Sequence, residues 1–329
     1  MESSIRLRPM TLGDIIDHTF RVYRSHFAVI FLFSLLVSGI FNILYAGLAE
    51  QLSPIPIFTN QFQQIMDMIN GEPRTYQDIF GVSGMNGLGS LLDFMLLMIV
   101  SLIMAGVQLI VVVPYVQGGV IGITERFVKN KEADLSYAFT APLKKLGRLI
   151  VTALCLLLYG AAVYIGAVIV LIIIMMPIIL TLTALRNIGF IALLLIIIPF
   201  LLVLAAFLVL YVFVSLVYPV VMMEDKYHFS AIGRSFQLVR RQFWKAIGMV
   251  VLVYLLAAIV GSSLNLGLGW LASLADAPAI LSVIIQSIVS AFVSPVLYIA
   301  GAMLYFDIRV RSEGLDLEYM AAEAGEITT

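Results

Sequence analysis

Charge is scarce in this sequence. Asp, Glu, Lys and Arg make up 12% of its 329 residues, roughly half the share of a soluble domain. With 62% hydrophobic residues and a mean hydropathy of +1.07, that scarcity makes lipid the expected solvent. A single cysteine, Cys155, allows no intrachain disulfide and no thiolate pair for a metal. Short strictly alternating segments are missing, which argues against a transmembrane barrel. No Walker sequence is present, so ATP-driven work needs a separate ATPase. Met1 to His26 is charged and lacks an apolar core, so it is not expected to be a cleavable signal peptide.

What is abundant is long apolar runs, several exceeding the ~20 residues that a spanning helix needs. They predict an all-α integral membrane protein, one membrane domain over residues 1–329. Six spans are expected at about 27–48, 91–123, 149–182, 188–222, 246–266 and 279–305. Pro177 and "TLTALRNIG" mark the expected reversal between the third and fourth. All but two of the 19 Lys and Arg residues fall on one side of this arrangement, leaving Arg74 and Arg186 on the other. Short loops rich in Lys and Arg stay cytoplasmic. Both termini are therefore expected inside, in a bacterial cytoplasmic membrane. The loop 49–90 is then external. Phe62, Ile65, Met66 and Ile69 predict a short amphipathic helix in it, and "GVSGMNGLGS" a flexible return.

A basic-aromatic word occurs twice, "FRVYRSHF" (20–27) and "FQLVRRQF" (236–243), each directly before an apolar run. On a helix the first aligns Ile16, Phe20, Tyr23 and Phe27, and the second aligns Ile232, Phe236, Val239 and Phe243. Arginines and a lysine flank both stripes, the pattern of an amphipathic helix in the membrane interface. Thr11 and Asp14 offer an N-terminal capping box for the first. A weaker copy, Leu135, Phe139 and Leu146, is interrupted by Pro142. Each copy precedes an odd-numbered span. The even-numbered spans carry Pro114, Pro219 and Pro295, with Glu125, Glu224 and Asp225, and Asp307 at their inner ends. The simplest account is a threefold internal repeat over 8–128, 131–226 and 229–311. Independent selection for basic, amphipathic lead-ins is the alternative. On either account Arg21, Arg24, Arg234, Arg240 and Arg241 are expected to contact anionic lipid headgroups.

Catalytic groups are few. His18 near Asp14 and Asp17, and His228 near Glu224 and Asp225, invite a metal, but no H-E-x-x-H spacing supports one, and ion pairing is the expected role. No Ser or Tyr in the spans stands beside a His or Lys at an activating distance. No catalytic residue, cofactor, metal or nucleic-acid partner is therefore assigned. Asn42, Gln108, Gln117, Asn265 and Gln286 are expected mainly to join helices by hydrogen bonds, with lining of a substrate path as the alternative. Gly118 and Gly122 form a GxxxG, read as close helix packing. Glu125, Arg126, Asp307 and Arg309 are expected in ion pairs locking the inner ends of the second and sixth spans. Asp307 should pair with an arginine of another repeat, such as Arg24 or Arg240, while Glu313 should lie in solvent.

The tail "LYFDIRVRSEGLDLE" (304–318) is the most specific stretch. With "LRPMTLGDIIDHTFRVYRSHF" (7–27) and "AIGRSFQLVRRQFWKAIG" (231–248), it resembles bacterial membrane proteins named after the membrane domain of glycerophosphoryl diester phosphodiesterase. The resemblance implies a multi-pass cytoplasmic-membrane protein. In fusion members a separate soluble barrel carries the phosphodiesterase chemistry, and this sequence shows no such barrel. Two functions remain: a protein that handles or transports a lipid or other amphiphile, or a non-catalytic module scaffolding a partner enzyme or an ABC-type transporter.

Overall fold

The computed structural model describes residues 8–52, 88–184, 189–274 and 279–317. Among them there is no strand. In chain order the helices are α1 (Leu12–Ser25), α2 (Phe27–Ser34), α3 (Ile40–Leu52), α4 (Leu88–Val107), α5 (Val113–Val128) and α6 (Leu135–Lys144), then α7 (Leu146–Ala184), α8 (Gly189–Val214), α9 (Val217–Met223), α10 (Phe229–Arg241), α11 (Phe243–Leu274) and α12 (Ala279–Glu313). Six stretches are long and apolar enough to cross a membrane: Phe27–Ala49, Met95–Val128, Leu146–Pro177, Ile197–Met223, Phe243–Leu274 and Ile280–Glu313.

The spans bend where the sequence disrupts the helical ladder. A π turn over Leu35–Gly39 joins α2 to α3, and another over Gln108–Val112 joins α4 to α5 just before Pro114, which has no N–H to donate. Pro219 likewise cannot bond to the Ser215 carbonyl, and the fourth span breaks between α8 and α9 at that point. Pro177, expected in a reversal, lies inside α7 instead. The turn between the third and fourth spans, with Arg186, lies outside the described residues. So do the predicted amphipathic helix at Phe62–Ile69, Arg74 and most of "GVSGMNGLGS".

One packing rule recurs around the bundle. The second, fourth and sixth spans touch one another at the centre, and the odd-numbered spans lie outside, each resting on two even ones. The three lead-in helices follow it. α6 packs on the second span, α10 on the fourth, and α1 closes the ring on the sixth. The buried core lies at this junction, with Val120, Ile121, Val217, Val220, Ile299 and Met303 among its members.

The α1 helix begins as expected: Thr11 Oγ1 accepts from the Asp14 N–H at 3.2 Å, and the Asp14 carboxylate accepts from the Thr11 N–H at 2.8 Å. Its expected stripe, however, is split between two surroundings. Ile15, Thr19, Val22 and Tyr23 are buried against protein, whereas Phe20 and Phe27 are exposed. The Met10 N–H donates to Asp307 at 2.7 Å, and the Tyr23 hydroxyl donates to the Phe292 carbonyl at 2.7 Å. These anchors are ~20 Å apart along either helix, so α1 runs lengthwise beside the C-terminal half of the sixth span. The α10 stripe is likewise turned towards protein: Ile232 and Val239 are buried, and Phe236 stacks on Phe213 at 4.6 Å.

Candidate functional site

Beside the central helices is a cleft of about 60 Å³ lined by parts of the second, fourth, fifth and sixth spans. Its polar lining is Gln117, Tyr211, Ser215, Tyr218, Tyr254 and Tyr298, and its remaining wall is apolar, including Met249 and Leu304. Asp, Glu, Lys, Arg and His are all missing from that lining. Counted along the helices, Tyr254 lies ~16 Å from Phe243 and Gln117 ~16 Å from Val128. The cleft therefore lies about three helical turns in from the basic ends of these helices.

Its construction follows from the broken fourth span. A backbone break at membrane depth is tolerated only where protein or a cavity satisfies it, and Ser215 and Tyr218 flank this one on the cleft. The Ser215 hydroxyl donates back to the Val212 carbonyl at 2.7 Å. Tyr211 and Tyr254, from the fourth and fifth spans, share a hydrogen bond between their hydroxyls. Both are about two-fifths exposed, so this pair forms an exposed lip of the cleft. Deeper in, the Gln117 carbonyl oxygen is buried and accepts no hydrogen bond. An unpaired buried acceptor costs about 1–3 kcal/mol, and a ligand donor would remove that cost. Gly301 lines the same space, and a Cβ there would meet nothing within 4 Å.

The basic end of the cleft is closed by an ion-pair network. The buried Tyr305, next to the cleft residue Leu304, donates to Glu224 at 2.9 Å. Arg234 bridges Glu224 (2.8 Å) and Glu313 (2.7 Å), and Arg309 donates to Glu313 at 2.9 Å. Burial opposes ionisation of Glu224, but hydrogen bonds from Arg234, Tyr305 and Lys226 outweigh it and hold the carboxyl below its ordinary range. A neighbouring network centres on Asp307, which is fully buried. It accepts from the Met10 N–H at 2.7 Å, from Lys245 Nζ, and from Arg311 at 3.1 Å. Lys245 and Arg311 also donate to the Met10 carbonyl. Asp225 pairs with Lys145 at 2.8 Å and Arg148 at 2.6 Å, which hold its carboxyl low, Lys145 most.

Several expected residues fall elsewhere. Asp307 is paired, but with Lys245 and its own-helix neighbour Arg311, not with Arg24 or Arg240. Position 311 is one turn on from 307, near enough to share a face. Glu313 is not a solvent charge, since two arginines hold it. Glu125 pairs with Lys129 on its own helix, and Arg126 stacks 3.5 Å from the Tyr137 ring and donates to the Glu132 carbonyl. Neither joins the second span to the sixth. Arg234 is taken up by Glu224 and Glu313, which removes it from the headgroup set. Arg241 is exposed and donates to the Ser312 carbonyl at 3.1 Å, and Arg240 is exposed. Arg24 is exposed and Arg21 partly so.

The intramembrane amides join helices only in part. Gln117 hydrogen-bonds to Tyr298, from the second span to the sixth, as expected, whereas Asn265 donates to Gly261 in its own helix, and the carbonyl oxygens of Gln108 and Gln117 accept no hydrogen bond. Hydroxyls make further cross-links: Tyr45 to Ser101 at 3.2 Å, Tyr115 to the Phe139 carbonyl at 2.8 Å, and Ser235 to the Phe213 carbonyl at 2.6 Å. A hydroxyl can rotate to reach a backbone carbonyl without carrying a second donor to satisfy. Among the described residues no group of three His, Cys, Asp or Glu is placed to hold a metal.

Sequence reasoning missed the tyrosine cleft. Its signal was the combination of Pro219 with tyrosines scattered over three spans, which no local motif connects. No curated protein and no solved structure matches the chain. One family model does, over residues 79–307, which takes in the whole cleft: the chain belongs to the family described as Domain of unknown function (DUF7847).

Proposed function

We propose that this protein binds a membrane amphiphile and carries its uncharged, hydrogen-bonding head through the tyrosine cleft, without a catalytic step. The observation that carries this reading is the break of the fourth span beside a polar, charge-free cleft shared by four spans. Interrupted spans commonly form the ligand sites of transporters. Hydroxyls and one unpaired amide oxygen suit a glycerol or amide head, whereas a bare phosphate would meet no cation. The Tyr211–Tyr254 lip gives lateral entry from lipid. The tail's resemblance to proteins named after a phosphodiesterase membrane domain agrees with lipid handling.

The test is photo-crosslinking with a diazirine-bearing diacylglycerol in vesicles. Labelling is expected on fourth- and fifth-span peptides and is expected to be lost in Gly301→Val, which fills the cleft where a side chain has room. Tyr211→Phe with Tyr254→Phe should reduce it roughly tenfold, the loss of one to two net hydrogen bonds. Equal labelling of all three proteins would remove the cleft as the binding site.

The orientation belongs to the same proposal. The basic end, with both ends of the chain, faces the cytoplasm of a bacterial cell. Cysteines at Ser4 and Ser312 should be shielded from impermeant thiol reagents in intact cells, and one at Thr75 labelled. The reverse pattern would invert the topology.

A further inference from the structure

A second cavity lies on the other side of the fifth span. This groove of about 100 Å³ runs between α1, the fifth span and the sixth, lined by Ile16, Phe20, Leu256, Ala257, Phe292 and Val296 among others. Its wall is almost wholly apolar, since the hydroxyls of Thr19 and Tyr23 are taken up by the Ile15 and Phe292 carbonyls, and Phe20, Leu256 and Phe292 are each more than a third exposed. Phe20 also borders a shallow surface hollow formed with Asp17, Arg21 and Arg24. Two guanidiniums against one carboxylate leave this mouth net positive. Among the described residues neither Arg21 nor Arg24 has an ion-pair partner, in contrast to Arg234, Arg309 and Arg311.

We propose that this is a binding site for an anionic glycerophospholipid, with its phosphate on Arg21 and Arg24 and one acyl chain in the groove. Charge complementarity and continuity select this occupant. Phe20 forms a wall of both parts, so a headgroup at the arginines delivers its chain directly to the apolar groove. Guanidinium binds phosphate through paired N–H donors. The site holds α1 against the fifth and sixth spans, adding to the Met10 and Tyr23 anchors. It differs from the tyrosine cleft in chemistry, because its ligand carries a negative charge. Val253 lines both cavities, so the fifth span is the wall between them.

The experiment is native mass spectrometry of the full chain released from nanodiscs of mixed phosphatidylglycerol and phosphatidylcholine. The unmodified protein is expected to retain phosphatidylglycerol selectively. Arg21→Gln with Arg24→Gln should lower that retention by roughly tenfold or more, at about one tenfold step for each lost contact or less. Ala257→Phe, which fills the groove, should lower it similarly with every arginine in place. Ala257→Val provides a milder filling if the phenylalanine impairs folding. Arg240→Gln with Arg241→Gln, at positions that line neither the groove nor its mouth, should lower retention clearly less. Loss in the arginine variant but not in either groove variant would mean diffuse surface attraction and overturn the site. So would unchanged retention throughout. A second copy as the true occupant would appear as groove variants that break a dimer while keeping the lipid, and would overturn it as well.

Discussion

Asp307→Asn is expected to lower the unfolding free energy by about 3–5 kcal/mol, the cost of removing one partner from a buried charge pair. It should appear as a clear fall in the thermal midpoint of the detergent-solubilised protein. The size follows from the setting. The carboxylate is fully buried and receives three donors, a backbone N–H and two cations. Asparagine offers one acceptor oxygen and turns its NH2 towards groups that are themselves donors. Arg311 is about a third exposed and can turn to water, but the Lys245 side chain is 14% exposed and cannot do so freely. The Met10 peptide would lose its anchor, and α1 would undock from the sixth span. Trypsin should then cut faster at Arg21 and Arg24. Glu313→Gln should cost less, about 1–2 kcal/mol, because Arg234 and Arg309 keep Glu224 nearby. Arg241→Gln, at an exposed site with one carbonyl contact, should change stability by less than about 1 kcal/mol. A ranking in which Asp307→Asn matches Arg241→Gln would show that the carboxylate does not hold α1 in place.

The pairing of Asp307 was legible in the sequence, but its partners were not. A carboxylate set in an apolar run demands a cation, and physical chemistry alone says so. Choosing among the cations needs the fold, since Lys245 is 62 positions away and Met10 is 297 away. The Met10 peptide is also invisible to any reading of side-chain charges. The spans and lead-in helices were legible because their signals are local: apolar length, a capping pair, an amphipathic stripe. The direction of that stripe was not. A phenylalanine is equally apolar against lipid or against another helix, so Phe20 and Val22 carry the same signal with opposite surroundings. The cleft was hidden for a related reason. Tyr211, Tyr254 and Tyr298 each read as ordinary spanning residues, and only the break at Ser215, caused by Pro219, brings a site out of them.

The recurring packing rule bears on how the three parts of the chain relate. Each lead-in helix rests on an even-numbered span: α6 on the second, α10 on the fourth, α1 on the sixth. Since α1 can meet the sixth span only after the whole chain is made, its docking is the step that closes the ring. The Met10 N–H on the Asp307 carboxylate and the Tyr23 hydroxyl on the Phe292 carbonyl serve that closure. The same geometry leaves Phe20 of the first lead-in exposed, with a groove beside it between α1 and the fifth and sixth spans.

Gly119→Ala should be the most damaging single methyl addition in the described chain, costing about 3 kcal/mol as an overpacked contact between helices. A Cβ at Gly119 would fall 2.5 Å from Cζ of Phe33, still closer to its Cε1, and 2.8 Å from the Ala138 carbonyl oxygen. Phe33 is fully buried and held edge-on against Phe139 at 5.0 Å, so its ring has nowhere to swing. The Ala138 carbonyl is backbone, and moving it moves α6. Three elements therefore meet at this one hydrogen atom: the first span, the second span and the second lead-in helix. The glycine pair singled out by its spacing behaves differently. At Gly118 the nearest atoms, on Leu149 and Pro142, are 3.1 Å away, and at Gly122 the nearest is Ala141 Cβ at 3.4 Å. Gly118→Ala should thus be mildly destabilising. Gly122→Ala should be neutral or gain up to about 1 kcal/mol, because alanine favours the helix over glycine. Thermal midpoints of the three variants measure the order directly. Phe33→Leu added to Gly119→Ala should recover part of the loss, although Phe33→Leu alone destabilises, giving a favourable coupling in the double-mutant cycle. If Gly119→Ala melts with the unmodified protein, the close approach of α6 and the first span to the second span is not present in the folded chain.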